Sequence, residues 1–465
     1  MRVAVIGLGY VGLVTSACLA RWGNEVTGIE ADAGKLARLA AGAIPVHEPG
    51  LAELAQEGID SGMLRFCSSS DKASVLAAAE LVILAVGTHD GNGGWQTETI
   101  RRTLTQIGPL LGDESTLAIR STLPPEFVDQ LPELFGRLRA DAGLPSIPVL
   151  LNPEFTREAH AVHDFMSPSR VVIGIGSDPD GRGAAVMRQL YGHLEAPILV
   201  MPAIDASFAK LGSNLFLATK ISFANELATL CDAYGATIDH VMSALALDGR
   251  IGGAFLGAGV GFGGSCLPHQ VKMTVKTARQ ANIPVSLLAA VDDINYGQRA
   301  KVAGLLGDLL PGGLAGARIA LLGLTFKPDT DDLRDAPSIT IADLLVERGA
   351  TVTAYDPMEK ARRAVAEDHP EVLVMESAQA AMDEADAVVL VTEWQEFAAL
   401  SWSDARRRMR GDIVLDGRNA LDPATVVGAG LRYAAFGRGL QVPEPLPLEV
   451  AGREERIPQL TEEVA

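Results

Sequence analysis

The strongest constraint on this chain lies at its amino terminus. Residues 3–20 read VAVIGLGYVGLVTSACLA, an uncharged, mostly apolar run that carries Gly7, Gly9 and Gly12. A hydropathy scan would take such a run for a secretory segment. However, only Arg2 precedes it, and an apolar signal core has no use for glycines at fixed offsets. The pattern suits a buried strand at 3–6, a tight turn, and a helix lying close against the strand. Gly7 would allow the turn, Gly9 would let a ligand approach the backbone, and Gly12 would let the helix pack on the strand. An anionic group then belongs at the helix N-terminus, where free N–H groups point outward.

G-x-G-x-x-G alone is a weak signal. Here it opens a helix and is followed by a second strand-like run whose end, Glu30, lies 18 residues beyond Gly12. A carboxylate there accepts hydrogen bonds from both ribose hydroxyls and repels a 2′-phosphate, so the pattern points to NAD rather than NADP.

Further along, strand-like runs at 25–29, 81–86, 116–120 and 148–151 alternate with Ala- and Leu-rich helical stretches. This alternation predicts a parallel sheet covered on both faces. Residues 204–245 and 271–306 carry helical periodicity without strand signals, and between them lies the glycine-dense loop GGAFLGAGVGFGGSC. After Pro311-Gly312-Gly313 a second alternation begins, with strands at 318–322, 351–354, 387–391 and 412–416. The expected fold class is α/β: two Rossmann-like doubly wound parallel-sheet domains joined by a helical central domain. The expected boundaries are 1–202, 203–308 and 309–442, with a mobile Pro- and Glu-rich C-terminal tail at 443–465. An active site would occupy the cleft between the two α/β domains.

The 465 residues are enough for about three domains. A formal charge of −19 and only 5% aromatic residues argue against nucleic-acid binding, though a local basic pocket could hold a small anion. Cys18, Cys67, Cys231 and Cys266 show no C-x-x-C pair and no zinc-like spacing, so no metal site is expected. Free thiols fit a reducing cytoplasm, and neither a membrane anchor nor a nucleic-acid partner is expected.

Three groups of residues carry candidate chemistry. Cys266 follows the glycine loop, and Pro268 suits the first turn of a helix, so the dipole could favour a thiolate there. A buried structural cysteine remains the alternative. Lys210 and Asn214 share a helix face and could stabilise an oxyanion, or could simply be solvated. Glu154 and Glu158 stand at helical spacing just past a strand end, where sites in open α/β sheets form, or they are an acidic first helical turn.

The segments GLGYVG, AIPVHEPGL, AVGT, RSTLP, NPEFTREAHAVHDF, AKLGSNLFLATKISFANEL, DGRIGGAFLGAGVGFGGSCLP, TFKPDTDDLRDAPS, VTAYDP, ADAVVLVTEW and DGRN occur in this order. Over residues 1 to about 440 the chain resembles the UDP-glucose/GDP-mannose dehydrogenase family. The resemblance implies oxidation of a nucleotide sugar's C6 alcohol to a carboxylate, removing four electrons and using two NAD. GFGGSC and DGRN look most like the UDP-glucose branch, which implies UDP-glucose as substrate and UDP-glucuronate as product. GDP-mannose or a UDP-N-acetylhexosamine is the alternative substrate.

The resemblance also implies roles for individual residues. Cys266 would form a thiohemiacetal and then a thioester. Lys210 and Asn214 would stabilise the oxyanion, Thr122 and Glu158 would handle water and protons, and Glu154 would lie beside the sugar. NAD would be held by Gly7, Gly9, Tyr10, Val11, Gly12, Glu30, Lys35 and Thr88, with Thr122, Glu158, His269 and Arg334 nearby. The sugar nucleotide would meet Glu154, Phe155, Thr156, Arg157, Lys210 and Asn214. The loop containing Phe255, Leu256, Gly257 and Gly263 would line it, and Phe326, Lys327 and Arg418 would reach it from the second α/β domain. Arg250 would be donated to the neighbouring subunit of a homodimer.

The chain departs from the family pattern after its loop, reading GGSCLPHQ where GGSCLPKD is usual. His269 replaces a lysine, and Gln270 replaces an aspartate that assists proton transfer. Glutamine can orient a water but cannot take its proton. Slower thioester hydrolysis or thiol activation is expected, and a weakened enzyme that mainly binds nucleotide sugars is a further alternative. His89, Thr156, Ala258 and Glu30 are smaller departures.

Overall fold

The computed structural model describes residues 1–88 and 94–443. His89 and nearly all of the expected tail lie outside the described residues. One sheet contains β1 (Arg2–Ile6), β2 (Glu25–Glu30), β3 (Leu64–Ser68), β4 (Leu81–Leu84), β5 (Thr116–Ile119), β6 (Val149–Leu151), β7 (Val171–Ser177) and β8 (Ile198–Pro202). Its order is β3-β2-β1-β4-β5-β6-β7-β8, parallel throughout except for the β6–β7 pair. The second sheet contains β9 (Arg318–Leu322), β10 (Thr351–Tyr355), β11 (Val372–Val374), β12 (Ala387–Leu390), β13 (Ile413–Asp416), β14 (Arg432–Ala435) and β15 (Gly439–Gln441). Its order is β11-β10-β9-β12-β13-β14-β15, with only β14–β15 antiparallel. Both sheets reverse their strand order beside the first strand, between β1 and β4 and between β9 and β12, where ligand crevices form.

The α/β expectation holds, with two adjustments. The sheets are not wholly parallel, and six strands (β3, β7, β8, β11, β14 and β15) were not anticipated. The central strands are buried on both faces, which is why they read as continuous Val/Ile/Leu runs. Each fully buried Leu or Ile contributes about 1.5–3 kcal/mol.

Helix Ala203–Tyr234 spans 32 residues, about 48 Å. It begins after Pro202 and stops at Gly235, whose φ of +70° supplies the left-handed cap. Gly235 therefore divides the helix expected at 204–245, and a separate helix Ile238–Ala246 follows. The long helix is a strut shared by both sheets. Ala203 and Ala206 press on β7, where a Cβ at Gly174 would lie 2.7 Å from Ala206, while Ala228 and Cys231 join the core of the second sheet. No helix among the described residues is long and apolar enough to cross a membrane.

Candidate active site

The turn after β1 behaves as its three glycines require. Gly7 has a φ of +89°, and a Cβ there would lie 2.8 Å from Ala85 O. A Cβ at Gly12 would lie 1.9 Å from Gly7 O, so helix Tyr10–Arg21 reaches the turn only because Gly12 has no side chain. A Cβ at Gly9 meets nothing within 4 Å, which leaves open space at the helix N-terminus for a pyrophosphate. Tyr10 and Val11 begin the helix. Glu30 ends β2, its Oε1 accepting the Ala31 and Asp32 N–H groups at 2.7 and 3.1 Å and its Oε2 lying 3.2 Å from Lys35 Nζ. Burial opposes the charge, but these donors and Lys35 hold Glu30 below the usual carboxylate range. It therefore presents a fixed anion at the end of β2, where the sequence leads one to expect the ribose. Thr88 is buried beyond β4, and Thr122 is half-buried beyond β5. These residues fit NAD.

Glu48 was not anticipated as a site residue. The Tyr10 hydroxyl donates to Glu48 Oε2, and Glu48 Oε1 accepts the Ala161 N–H at 2.6 Å. This buried carboxylate ties the glycine turn to the start of helix Ala161–Met166, immediately after the Glu154–Glu158 segment.

That segment is not helical. Residues 152–157 are irregular and Ala159 has a φ of +63°, so Glu154 and Glu158 point to different partners. Glu154 Oε1 accepts from Lys210 Nζ at 2.8 Å, and its Oε2 accepts from the Thr156 N–H and hydroxyl at 2.7 and 2.6 Å. Burial pushes Glu154 up, but Lys210 and Thr156 outweigh it and hold the group at about 2. Glu154 is thus a fixed anion rather than a proton carrier. Lys210→Ala would strand this charge, and about 3–5 kcal/mol of stability should be lost in chemical denaturation.

Glu158 has the opposite environment. Burial and the neighbouring Asp332 raise it to about 7, against the pull of Arg334 and Lys327. Arg334 Nη2 lies 3.2 Å from Oε1, Lys327 Nζ donates to the Glu158 backbone oxygen, and Oε2 is buried with no hydrogen-bond partner. Two side chains of the second α/β domain therefore close over this carboxylate, and it is set to exchange protons near neutrality.

Cys266 is the N-cap of helix Leu267–Gln280 and the exposed member of four free cysteines. Its sulfur nevertheless lies deep enough among protein atoms that burial raises the thiol above its ordinary range. Lys210 pulls it down, while Glu154 and Glu158 push it up. The position at a helix N-terminus therefore does not by itself give the thiolate expected from sequence. One turn on, the Gln270 N–H donates to Cys266 O at 3.1 Å, and Gln270 Oε1 accepts from Asn214 Nδ2 at 3.0 Å. Further along the same helix Lys272 bonds Tyr296, and both meet Asp335, which Arg299 also holds at 2.8 Å. The cluster clamps the Cys266 helix to the second domain.

Three family models match in order: the NAD-binding domain over residues 1–195, the central domain over 205–297 and the UDP-binding domain over 320–423, all of the UDP-glucose/GDP-mannose dehydrogenase family. The chain belongs to that family. It is an NAD-dependent nucleotide-sugar dehydrogenase. A UDP-glucose 6-dehydrogenase of Pseudomonas aeruginosa is 39% identical over 450 residues, 94% of this chain and 98% of that one. The structure of a UDP-glucose dehydrogenase from Pyrobaculum islandicum aligns at a TM-score of 0.83 and 35% identity, covering 94% of this chain and 97% of that one. A UDP-D-ManNAc dehydrogenase from Pyrococcus horikoshii aligns at 0.82 and 26%, covering 94% of this chain and all of the other.

In this dehydrogenase the glycine loop serves mainly protein packing. A Cβ at Gly263 would lie 2.5 Å from Asp335 O, one at Gly261 2.5 Å from Asn295 Oδ1, and one at Gly259 2.4 Å from Gly417 O. Of the two loop glycines expected to line substrate, Gly257 faces open space, beside the buried Leu256 and the left-handed Phe255. Arg418 Nη1 and Nη2 donate to Gly261 O at 2.8 Å and Phe326 O at 3.2 Å, joining the loop to the second domain. Phe155 packs under Lys210, whose Nζ is 5.5 Å from the ring centroid, and Arg157 is paired with Asp164 at 2.7 Å. His269 lies on the first turn of the Cys266 helix. Arg250 stands apart from all of these, exposed and bonded to Asp248.

Proposed function

We propose that this dehydrogenase converts UDP-glucose to UDP-glucuronate through covalent attachment at Cys266. The observation that carries the reading is the Cys266 thiol at a helix N-terminus, set among Lys210, the fixed anion Glu154 and the titratable Glu158. NAD bound on the glycine turn supplies the hydride acceptor for both oxidations. In this reading the first oxidation gives a C6 aldehyde. Cys266 Sγ adds to its carbon, the thiol proton goes to the aldehyde oxygen, and a thiohemiacetal forms. Lys210 and Asn214 stabilise the developing oxyanion. Loss of the C6 hydride and the hydroxyl proton leaves a thioester. Glu158 takes a proton from water, the C–S bond breaks, and the carboxylate leaves as the thiol is restored.

The same reading assigns residues 1–202 to NAD, 203–308 to dimerisation and 309–442 to the UDP moiety. Phe216, Phe223 and Leu230, seven apart on the long helix, are 65%, 50% and 51% exposed. Such a stripe supports a homodimer. Arg250, beside the exposed Leu247 and Ile251, would then reach the partner's substrate. Sedimentation should show a dimer, and Phe223→Glu should shift it to monomer. Four free cysteines support a cytoplasmic location.

The substrate test is the initial rate of NADH formation with UDP-glucose, UDP-N-acetylmannosamine and GDP-mannose, with products identified by mass. UDP-glucose should lead by at least tenfold in kcat/KM. A lead for either other sugar overturns the assignment and points to Thr156 and Ala258 as the residues that changed the pocket.

Gln270 is 2% exposed and keeps Asn214 oriented, but it cannot accept a proton. Gln270→Asp should therefore accelerate the slow step roughly tenfold, about 1.4 kcal/mol of barrier. Unchanged single-turnover rates would show that Glu158 alone suffices.

A further inference from the structure

A cavity of about 350 Å³ opens at the carboxyl edge of the first sheet, with Arg120, Asn152, Phe155, Phe165, Arg170 and Tyr191 on its wall. Glu154, Thr156 and Arg157 also line it, whereas Cys266, Lys210 and Asn214 do not. Its cations are the unusual feature. Arg120 directly follows β5 and is 6% exposed. Its Nη1 donates to Asn152 Oδ1 at 2.8 Å and the Tyr191 hydroxyl at 3.3 Å, and its Cζ stands 4.9 Å over the Phe165 ring. Its Nε is buried without a partner. Arg170 directly precedes β7, donates to the Ser169 and Ser213 hydroxyls at 3.0 Å each, and stacks 3.9 Å over Phe155.

Neither guanidinium forms an ion pair among the described residues. The carboxylates on the same wall are committed elsewhere, Glu154 to Lys210 at 2.8 Å and Asp164 to Arg157 at 2.7 Å. A buried charge normally persists only when paired. This chain carries 58 acidic residues against 39 basic ones, yet it brings no free carboxylate to these two arginines. What is left is a concave site with two planar, fork-shaped donors and three aromatic rings, of a size that takes small organic ligands.

We propose that this cavity binds a small oxyanion, a carboxylate or a phosphoryl group, at a site that borders the reacting centre through residues 154–157 without reaching Cys266. Arg120 and Arg170 hold the anion, and the rings of Phe155, Phe165 and Tyr191 pack against whatever carries it. Phe155 also underlies Lys210, with Nζ 5.5 Å from the ring centroid, so occupancy would be felt at the Lys210–Glu154 pair. The site is therefore placed to modulate turnover.

The test is calorimetric titration of the full-length enzyme, already saturated with UDP and NAD, with inorganic phosphate and separately with D-glucuronate. It requires no turnover, so it stands or falls apart from the substrate reading. One-to-one binding of at least one anion is expected, and Arg170→Gln should weaken it tenfold or more. Phosphate alone assigns a phosphoryl ligand, glucuronate alone a carboxylate, and both a general oxyanion site; each supports the proposal. Should Arg170→Gln not fold, Arg170→Lys keeps the charge, loses the fork and should still weaken binding severalfold. Absence of binding by both anions, or affinity unchanged in the arginine variant, overturns it.

Discussion

Cys266→Ser should abolish formation of the uronic acid, lowering its rate by at least ~10³-fold while leaving the fold intact. A serine hydroxyl at this helix N-cap has the wrong acidity to add to an aldehyde at neutral pH, and an ester is a poorer acyl donor to water than a thioester. The first alcohol oxidation needs no sulfur. The variant should therefore release about one NADH per sugar, slowly, with an aldehyde as product. The other three cysteines cannot substitute. Cys18 is buried with its thiol pushed up to about 12, Cys231 is buried, and Cys67 is on β3, the edge strand of the first sheet. Uronate formation at the parental rate by Cys266→Ser would remove the covalent mechanism.

Glu158→Gln should produce the second large loss, ~10²- to 10⁴-fold in thioester hydrolysis, the range of a positioned general base. The pH dependence follows from the same residue. Its carboxyl is raised to about 7, so below that pH it is mostly protonated and cannot take a proton from water. The hydrolytic rate should fall tenfold per unit as pH drops below about 7, and should level off above it. Glutamine has no proton to lose, so the acid limb should disappear along with the rate. Glu154, held at about 2 by Lys210 and Thr156, cannot supply that limb. Single-turnover kinetics from pH 5 to 9 would read both effects. An unchanged acid limb in Glu158→Gln would assign the ionisation to another group.

The cofactor turn was legible because each of its glycines has a separate steric reason: positive φ at Gly7, open space at Gly9 and a carbonyl 1.9 Å from any Cβ at Gly12. The helical middle was equally plain, since its periodicity runs for several turns. The sheets' outer strands were not. β8 is half-exposed along its length, β3 mixes polar with apolar residues, and β11 is only the three residues Val372–Val374, so neither a long buried run nor strict alternation marks them. Glu154 and Glu158 share helical spacing, yet Pro153 and the left-handed Ala159 make the segment a loop, and the two carboxylates end up with opposite acidities. The glycines before Cys266 read as room for substrate, but Gly259, Gly261 and Gly263 make room for Gly417, Asn295 and Asp335. Glu48, Arg120 and Arg170 gave no local signal. Their side-chain hydrogen-bond partners lie between 32 and 114 residues away in the chain, apart from the adjacent Ser169, and only the folded sheet brings them together.

The central claim is that one chain carries an alcohol through to a carboxylate on Cys266. Limiting UDP-glucose should be consumed with excess NAD, NADH counted, the sugar product weighed, and acid-quenched protein digested to locate any adduct. Two NADH per sugar, a uronic acid and a transient sugar adduct on the peptide containing Cys266 are the predicted result. One NADH with a stable aldehyde, or two NADH with Cys266 unmodified throughout, would contradict it.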